Sequence, residues 1–187
     1  LAAFALLLLT NPLTIILSFL ALALAVIYPF AKRYTHLPQI VLGAAFAFAI
    51  PMAFAAQTNS VPALAWLLFV SAVLWAVAYD TLYAMADRDD DLKIGVKSAA
   101  ILFGRADLIS VGTVQIAVLG LLVFIGEQQQ RGSIYFAGLL LAAGFVAYQL
   151  WIARHREPKR CIQAFLNNNW LGMTVFMALV IDFAINP

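Results

Sequence analysis

Three aspartates, Asp80, Asp87 and Asp91, stand seven and four residues apart. On a helix turning about 100° per residue, they fall within about 20° of one stripe. They belong to AYDTLYAMADRDDDLKIGVKS, residues 78–98, which holds five of the chain's nine acidic side chains. Asp87 and Asp91 would be one turn apart, with Asp80 roughly 10 Å further along the axis. Asp89 and Asp90 would point elsewhere, towards water. Like charges at this spacing repel, and burying them is costly, so a stripe of three expects a cation. Oxygen-only ligands favour Mg²⁺, Ca²⁺ or Mn²⁺. Mg²⁺ in particular combines one or two carboxylates with waters and phosphate oxygens. Lys93 and Lys97 follow directly, with Gly95 between them. Acids that hold a metal, followed by lysines that cover spare phosphate charge, suit a Mg²⁺-bound diphosphate. The plainer reading is a solvated helix end where acid and base interleave. Asp80 weighs against it, because an acid that deep in an apolar segment calls for a partner.

A second cluster, YPFAKRYTH, occupies residues 28–36. Tyr28 and Lys32 are one helical turn apart, and Arg33 can hold a phosphate or a carboxylate bidentately. Such residues are also ordinary anchors at a membrane interface. Other polar positions read as structural. Asn167, Asn168 and Asn169 would open the last helix and either bond its neighbours, the favoured reading, or line the mouth of the site. Asp182, alone near the far end, is expected to reach water. His36 and His155 are loop residues without metal-binding partners. Cys161 is the sole cysteine, so it can form no internal disulfide. Gly43, Gly112, Gly120, Gly138 and Gly144 are expected to let helices approach closely. Phe46, Phe48, Phe54 and Trp75 read as packing residues rather than the lining of a tunnel.

The elements that must position these residues are membrane helices. Of 187 residues, 65% are hydrophobic and 11% charged, and mean hydropathy is +0.96. Soluble domains run about 45–50% apolar and about 25% charged, so the chain is an integral membrane protein. A net charge of +2 gives no argument for nucleic acid. Spanning the hydrocarbon core takes roughly 20 apolar residues as helix. Six runs qualify, at 13–31, 38–56, 62–84, 108–126, 133–153 and 163–185, and residues 1–9 resemble the tail of a seventh. The fold class is therefore all-α, a polytopic transmembrane bundle forming one domain over 1–187. The chain opens on Leu1 inside an apolar run without a charged leader, which reads as a truncation point. Basic residues concentrate at 32–37, 85–107 and 154–161, and only Arg131 falls in the other set of loops. The positive-inside rule then puts both clusters on the cytoplasmic side, of a bacterial inner membrane.

With those residues in view, DTLYAMADRDDDLKIGVKSAAILFG, Asp80 to Gly104, closely resembles the second aspartate motif of UbiA-type membrane prenyltransferases. YPFAKRYTHLPQIVLGAAFAFAIPMAFAA, 28–56, looks like the YxxxK region of the 4-hydroxybenzoate polyprenyltransferase branch, as does FLNNNW at 165–170. The resemblance implies a nine-helix bundle around a central cavity. It implies an enzyme that ionises a polyprenyl diphosphate on Mg²⁺ and joins the prenyl group to 4-hydroxybenzoate for ubiquinone biosynthesis. It assigns Asp87 and Asp91 to the metal, with Asp80 as the preceding motif aspartate. Tyr28 and Lys32 match YxxxK, with Arg33 beside them. On this reading Lys93, Lys97 and Arg33 bind substrate, and Arg33 takes the acceptor carboxylate. The family's first motif, NDxxDxxxD, has no counterpart before Asp80. By the family plan the chain begins inside helix three, and on its own it is expected to be inactive.

Three alternatives remain at this stage. One is a membrane prenyltransferase with another aromatic acceptor. Another is a membrane CDP-alcohol phosphotransferase, whose Mg²⁺ motif needs DG and AR between its acids, and neither is found between these. The last is an ion-coupled transporter, which would spread polar residues across several spans. Prenyl length, the acceptor's identity and the oligomeric state are not legible in the residues.

Overall fold

The computed structural model describes the backbone of residues 2–186 and the side chains of residues 4–186. A short helix α1 (Ala2–Leu7) precedes α2 (Pro12–Tyr34). Asn11 caps α2, its Oδ1 accepting from the Thr14 amide at 3.0 Å, and Pro12 occupies the first turn, where no amide is needed. The second span is divided into α3 (Pro38–Ala47) and α4 (Ala49–Thr58). Pro51 explains the break, since it has no N–H for the Ala47 carbonyl one turn back. Asn59, at φ 53°, ends α4 in the left-handed region.

Helix α5 (Ala63–Ala86) carries the aspartates out of the apolar layer, and α6 (Arg88–Ile94) and α7 (Ala99–Phe103) form the surface link that follows. After a single 3₁₀ turn, α8 (Asp107–Gln128), α9 (Ser133–Ala153) and α10 (Pro158–Ile185) complete the chain. Among the described residues, six helical spans are long and apolar enough to cross a bilayer. They agree with the sequence expectation except at their ends. The last begins at Pro158, with Lys159 and Arg160 in its first turn. A proline suits that position, and charges there can still reach the interface.

Helix α5 is the hub, packed against α3, α4, α8 and α10. Beneath the aspartate motif, Leu82 and Met85 of α5 meet Val111 of α8, Ile152 of α9 and Cys161 of α10 in one buried cluster. The tightest seam joins α9 to α10, where a Cβ on Gly138 would overlap that of Ala178. Gly43 and Gly112 also face close neighbours, whereas Gly120 and Gly144 face open space, contrary to the packing role expected of them. Phe48 packs edge-on against Phe69 at 5.5 Å, as expected of a packing aromatic.

Two further expectations are corrected. Asp182 does not reach water: it is 0% exposed and accepts hydrogen bonds from the amides of Gly132 at 2.9 Å and Tyr135 at 3.4 Å. It caps the start of α9 from a neighbouring helix. The three asparagines do not open the last helix but lie in its third turn. Asn168 bonds a neighbour as expected, accepting from Trp75 Nε1 of α5 at 2.9 Å.

Candidate active site

The end of α5 bends at the aspartates. Asp87 leaves helical geometry at φ −88°, ψ 0°, and α6 restarts at Arg88. The bend is slight, because the Asp87 amide still reaches the Tyr83 carbonyl at 3.2 Å and the Asp91 amide reaches the Asp87 carbonyl at 2.8 Å. The stripe therefore survives the break. Asp80 and Asp87 are partly buried, Asp91 is only 4% exposed, and Asp89 and Asp90 face outward. Asp80 lies within electrostatic reach of Asp87, Asp91 and Lys32. Gln39 of α3 fixes the adjacent turn by donating to Thr81 Oγ1 at 3.3 Å.

Helix α2 delivers the second cluster to the same place. Lys32 Nζ stands 3.6 Å from Asp91 Oδ1. Tyr28, one turn earlier and partly buried, lies near Asp80 and Tyr83. The link after α6 is tied to the end of α2 by Lys97, whose amide donates to the Lys32 carbonyl at 3.2 Å and whose Nζ donates to the Tyr34 carbonyl at 3.1 Å. Both bonds satisfy carbonyls left open at a helix C-terminus, where positive charge is also favoured. The geometry thus brings together Tyr28, Lys32, Asp80, Asp87, Asp91 and Lys97. Lys93 stands apart, bonded at 2.8 Å to exposed Asp90, and that bond raises its pKa above the ordinary ammonium value. Arg33 points outward and makes no ion pair among the described residues.

Asp91 is the unusual member. Its Oδ2 is buried and has no hydrogen-bond partner among the described residues, whereas buried polar atoms are paired in the great majority of cases. Lys32 at 3.6 Å is too distant for a strong charged hydrogen bond. Among the described residues, no group of three or more His, Cys, Asp or Glu is gathered to hold a metal alone. The available set is instead two carboxylates, one with an unclaimed buried oxygen. That set fits an ion such as Mg²⁺, which takes one or two protein carboxylates and completes its shell with waters and phosphate oxygens.

An aromatic ladder runs inward from the aspartates. Trp75, Tyr79 and Tyr83 follow one another at i, i+4 on α5, and Asp87 continues the row. Phe165 of α10 locks them edge-on, 5.3 Å from Tyr83 and 5.9 Å from Tyr79, and Trp75 meets Tyr79 at 6.3 Å. Trp75 and Tyr79 of the ladder line a cavity of about 550 Å³ between α5 and α10, with Phe165, Asn168, Asn169 and Met173 on its other wall, so Trp75 is a lining residue and not only the packing residue expected. Tyr79, Phe165 and Asn168 were not picked out as site residues from sequence. The four-residue spacing was the available signal for Tyr79. Phe165 and Asn168 lie on a distant helix, and their signal was the FLNNNW stretch at 165–170, which pointed to the family without assigning either residue a role.

The family model of the UbiA prenyltransferases matches residues 1–180. This chain belongs to that family. UbiA-family relatives include the 4-hydroxybenzoate octaprenyltransferase of Alkalilimnicola ehrlichii, 59% identical over 97% of this chain and 62% of the relative. Another, of the same name, is from Saccharophagus degradans, 57% identical over 96% of this chain and 60% of the relative. The chain thus spans about three-fifths of the length of these relatives. Among solved structures, the apo structure of a UbiA homolog from Aeropyrum pernix K1 superposes with a TM-score of 0.81 at 26% identity, covering 96% of this chain and 68% of that one. A digeranylgeranylglyceryl phosphate synthase shares the fold, with a TM-score of 0.75 at 15% identity over 95% of this chain and 64% of that one. The all-α membrane bundle and the UbiA resemblance expected from sequence are both borne out.

Proposed function

We propose that the protein carrying this chain transfers a polyprenyl group from an allylic diphosphate to 4-hydroxybenzoate, in the membrane and with Mg²⁺. The observation that carries this reading is the buried Asp91 Oδ2, unpartnered among the described residues, in the carboxylate that faces Lys32, one short bend beyond the helix whose Trp75 and Tyr79 line the cavity. The names of the close relatives supply the substrate classes.

Asp87 and Asp91 would hold the Mg²⁺, which when bound supplies Lewis acidity to the departing diphosphate. Lys32, which faces Asp91, would meet the phosphate charge, Lys97 would release the Tyr34 carbonyl to do so, and cations held there favour the transition state in which that charge develops. Lys93 and Arg33 would have to turn in from the surface to act as phosphate and carboxylate ligands. As the C–O bond breaks, its electron pair leaves with the diphosphate and an allylic cation remains. Tyr28, Tyr79 and Tyr83 offer aromatic faces to that cation and help keep water away. The acceptor ring attacks through the carbon ortho to its hydroxyl, then loses the proton from that carbon. Asp80, within electrostatic reach of Asp87, Asp91 and Tyr28, would either join the metal or orient the acceptor. The basic ends of the spans support a cytoplasmic-facing site in an inner membrane.

The test is a radiolabelled polyprenyl diphosphate assay with 4-hydroxybenzoate, on membranes carrying the full-length protein. Labelled prenylated hydroxybenzoate is expected with Mg²⁺ and not after chelation. Unprenylated acceptor in both arms would overturn the reading.

A further inference from the structure

Behind the first cavity lies a second, of about 280 Å³ and almost wholly apolar, bounded by Leu68, Val118, Leu122 and Leu179 among others. Trp75, Gly172 and Phe176 line both. Trp75 is held at this boundary on two sides. Its Nε1 donates to Asn168 Oδ1 at 2.9 Å, and Asn168 is itself 6% exposed and tied to the Ala164 and Phe165 carbonyls. The far edge of the indole rests on Gly172, where an added Cβ would lie 2.5 Å from Trp75 Cη2. Only glycine there leaves room for the ring. A large side chain fixed by a buried hydrogen bond and a glycine seat is a partition rather than loose filling.

We infer that Trp75 is a specificity-determining residue, setting how far the hydrocarbon tail of the substrate reaches into the bundle. This rests on the prenyl-transfer reading above. Twelve residues, or about 18 Å of helix, separate Trp75 from Asp87. A tail whose diphosphate is held at Asp87 and Asp91 therefore runs down the aromatic ladder and meets the indole. The first cavity takes the units nearest the diphosphate. The second is apolar enough for further units, but the Trp75–Asn168 pair restricts entry to it.

The experiment measures kcat/KM for allylic diphosphates of increasing length, using the full-length protein in membranes. Trp75→Ala joins the two cavities and is expected to raise the ratio of long-chain to short-chain kcat/KM roughly tenfold, the effect of burying about two further methylene groups. Asn168→Leu keeps the indole but removes its anchor, and should move the ratio the same way by less. Trp75→Phe should fall between wild type and Trp75→Ala. Because the readout is a ratio within one preparation, partial loss of folded protein does not shift it. An unchanged length profile in both Trp75→Ala and Asn168→Leu, with wild type active, overturns the partition. A wild type inactive on every allylic diphosphate overturns instead the reading it rests on.

Discussion

Asp91 and Asp182 are both buried carboxylates of one greasy chain, at opposite ends of the bundle. Asp182 accepts from two backbone amides at the start of α9 and from Asn186 Nδ2 at 3.4 Å, so the chain itself supplies its partners. Asp91 has Lys32 at 3.6 Å and a second oxygen with none. Asp107 belongs with Asp182. It is 0% exposed, accepts from Arg156 at 2.8 Å and from the Leu108 amide at 2.7 Å, and lies 3.9 Å from Arg88. That hydrogen bond raises the Arg156 pKa above the ordinary guanidinium value. Burial does not tell these acids apart. What separates them is whether the fold completes their hydrogen bonding, because an unpartnered buried oxygen costs free energy that a structural acid has no reason to bear.

The largest effect that follows is at Asp91. Asp91→Asn keeps the shape and removes the charge, so kcat should fall about 10²–10³-fold, as for the loss of a group that stabilises developing charge. Thermal stability should hold or rise, since the unsatisfied anion is gone. Turnover and melting curves on the same preparation check both halves. A variant that melts early and keeps its kcat would move Asp91 into the class of Asp107 and Asp182.

Asp107→Ala should do the reverse. It strands Arg156, and breaking such a pair costs several kcal/mol when both partners are buried. Arg156 is 37% exposed on its side chain, so solvent reduces the expected loss to about 2 kcal/mol. The cost would be read from denaturation in detergent, with activity per folded molecule near wild type. Asp182→Ala should cost slightly less, about 1–2 kcal/mol, the range for a lost helix cap. Both variants sharpen the contrast if they lose stability without selective loss of turnover. A selective fall in the apparent Mg²⁺ affinity of Asp107→Ala would break it, by tying Asp107 to the aspartate motif through Arg88.

What the sequence revealed and what it hid follow the same division. The spans were legible because a bilayer demands about 20 apolar residues of helix, and the aspartate stripe because helical periodicity carries across one bent turn at Asp87. The meeting of Lys32 with Asp91 was approachable through charge alone, since both clusters fell on one side. Asp182 was misread because its donors lie 50 residues earlier, and no local pattern signals a cap borrowed from another helix. The Trp75–Asn168 bond spans 93 residues and was hidden for the same reason. The last helix begins before its apolar run because Pro158 opens it, and first-turn charges at a membrane surface remain solvated.

The smallest expected effect concerns the lysines. Lys32 faces the buried Asp91, whereas Lys93 pairs with Asp90 where both side chains are more than two-thirds exposed. Its raised pKa keeps Lys93 charged to higher pH than a free lysine, so its protonation does not change near neutrality. Exposed pairs of this kind contribute little and are screened by salt. Lys93→Ala should therefore leave stability unchanged and alter kcat/KM by less than about twofold, with any change vanishing as ionic strength rises. A tenfold rise in the KM for the diphosphate, persisting in salt, would show that Lys93 exchanges Asp90 for substrate phosphate on binding. The division between completed and open charges would then describe only the resting protein.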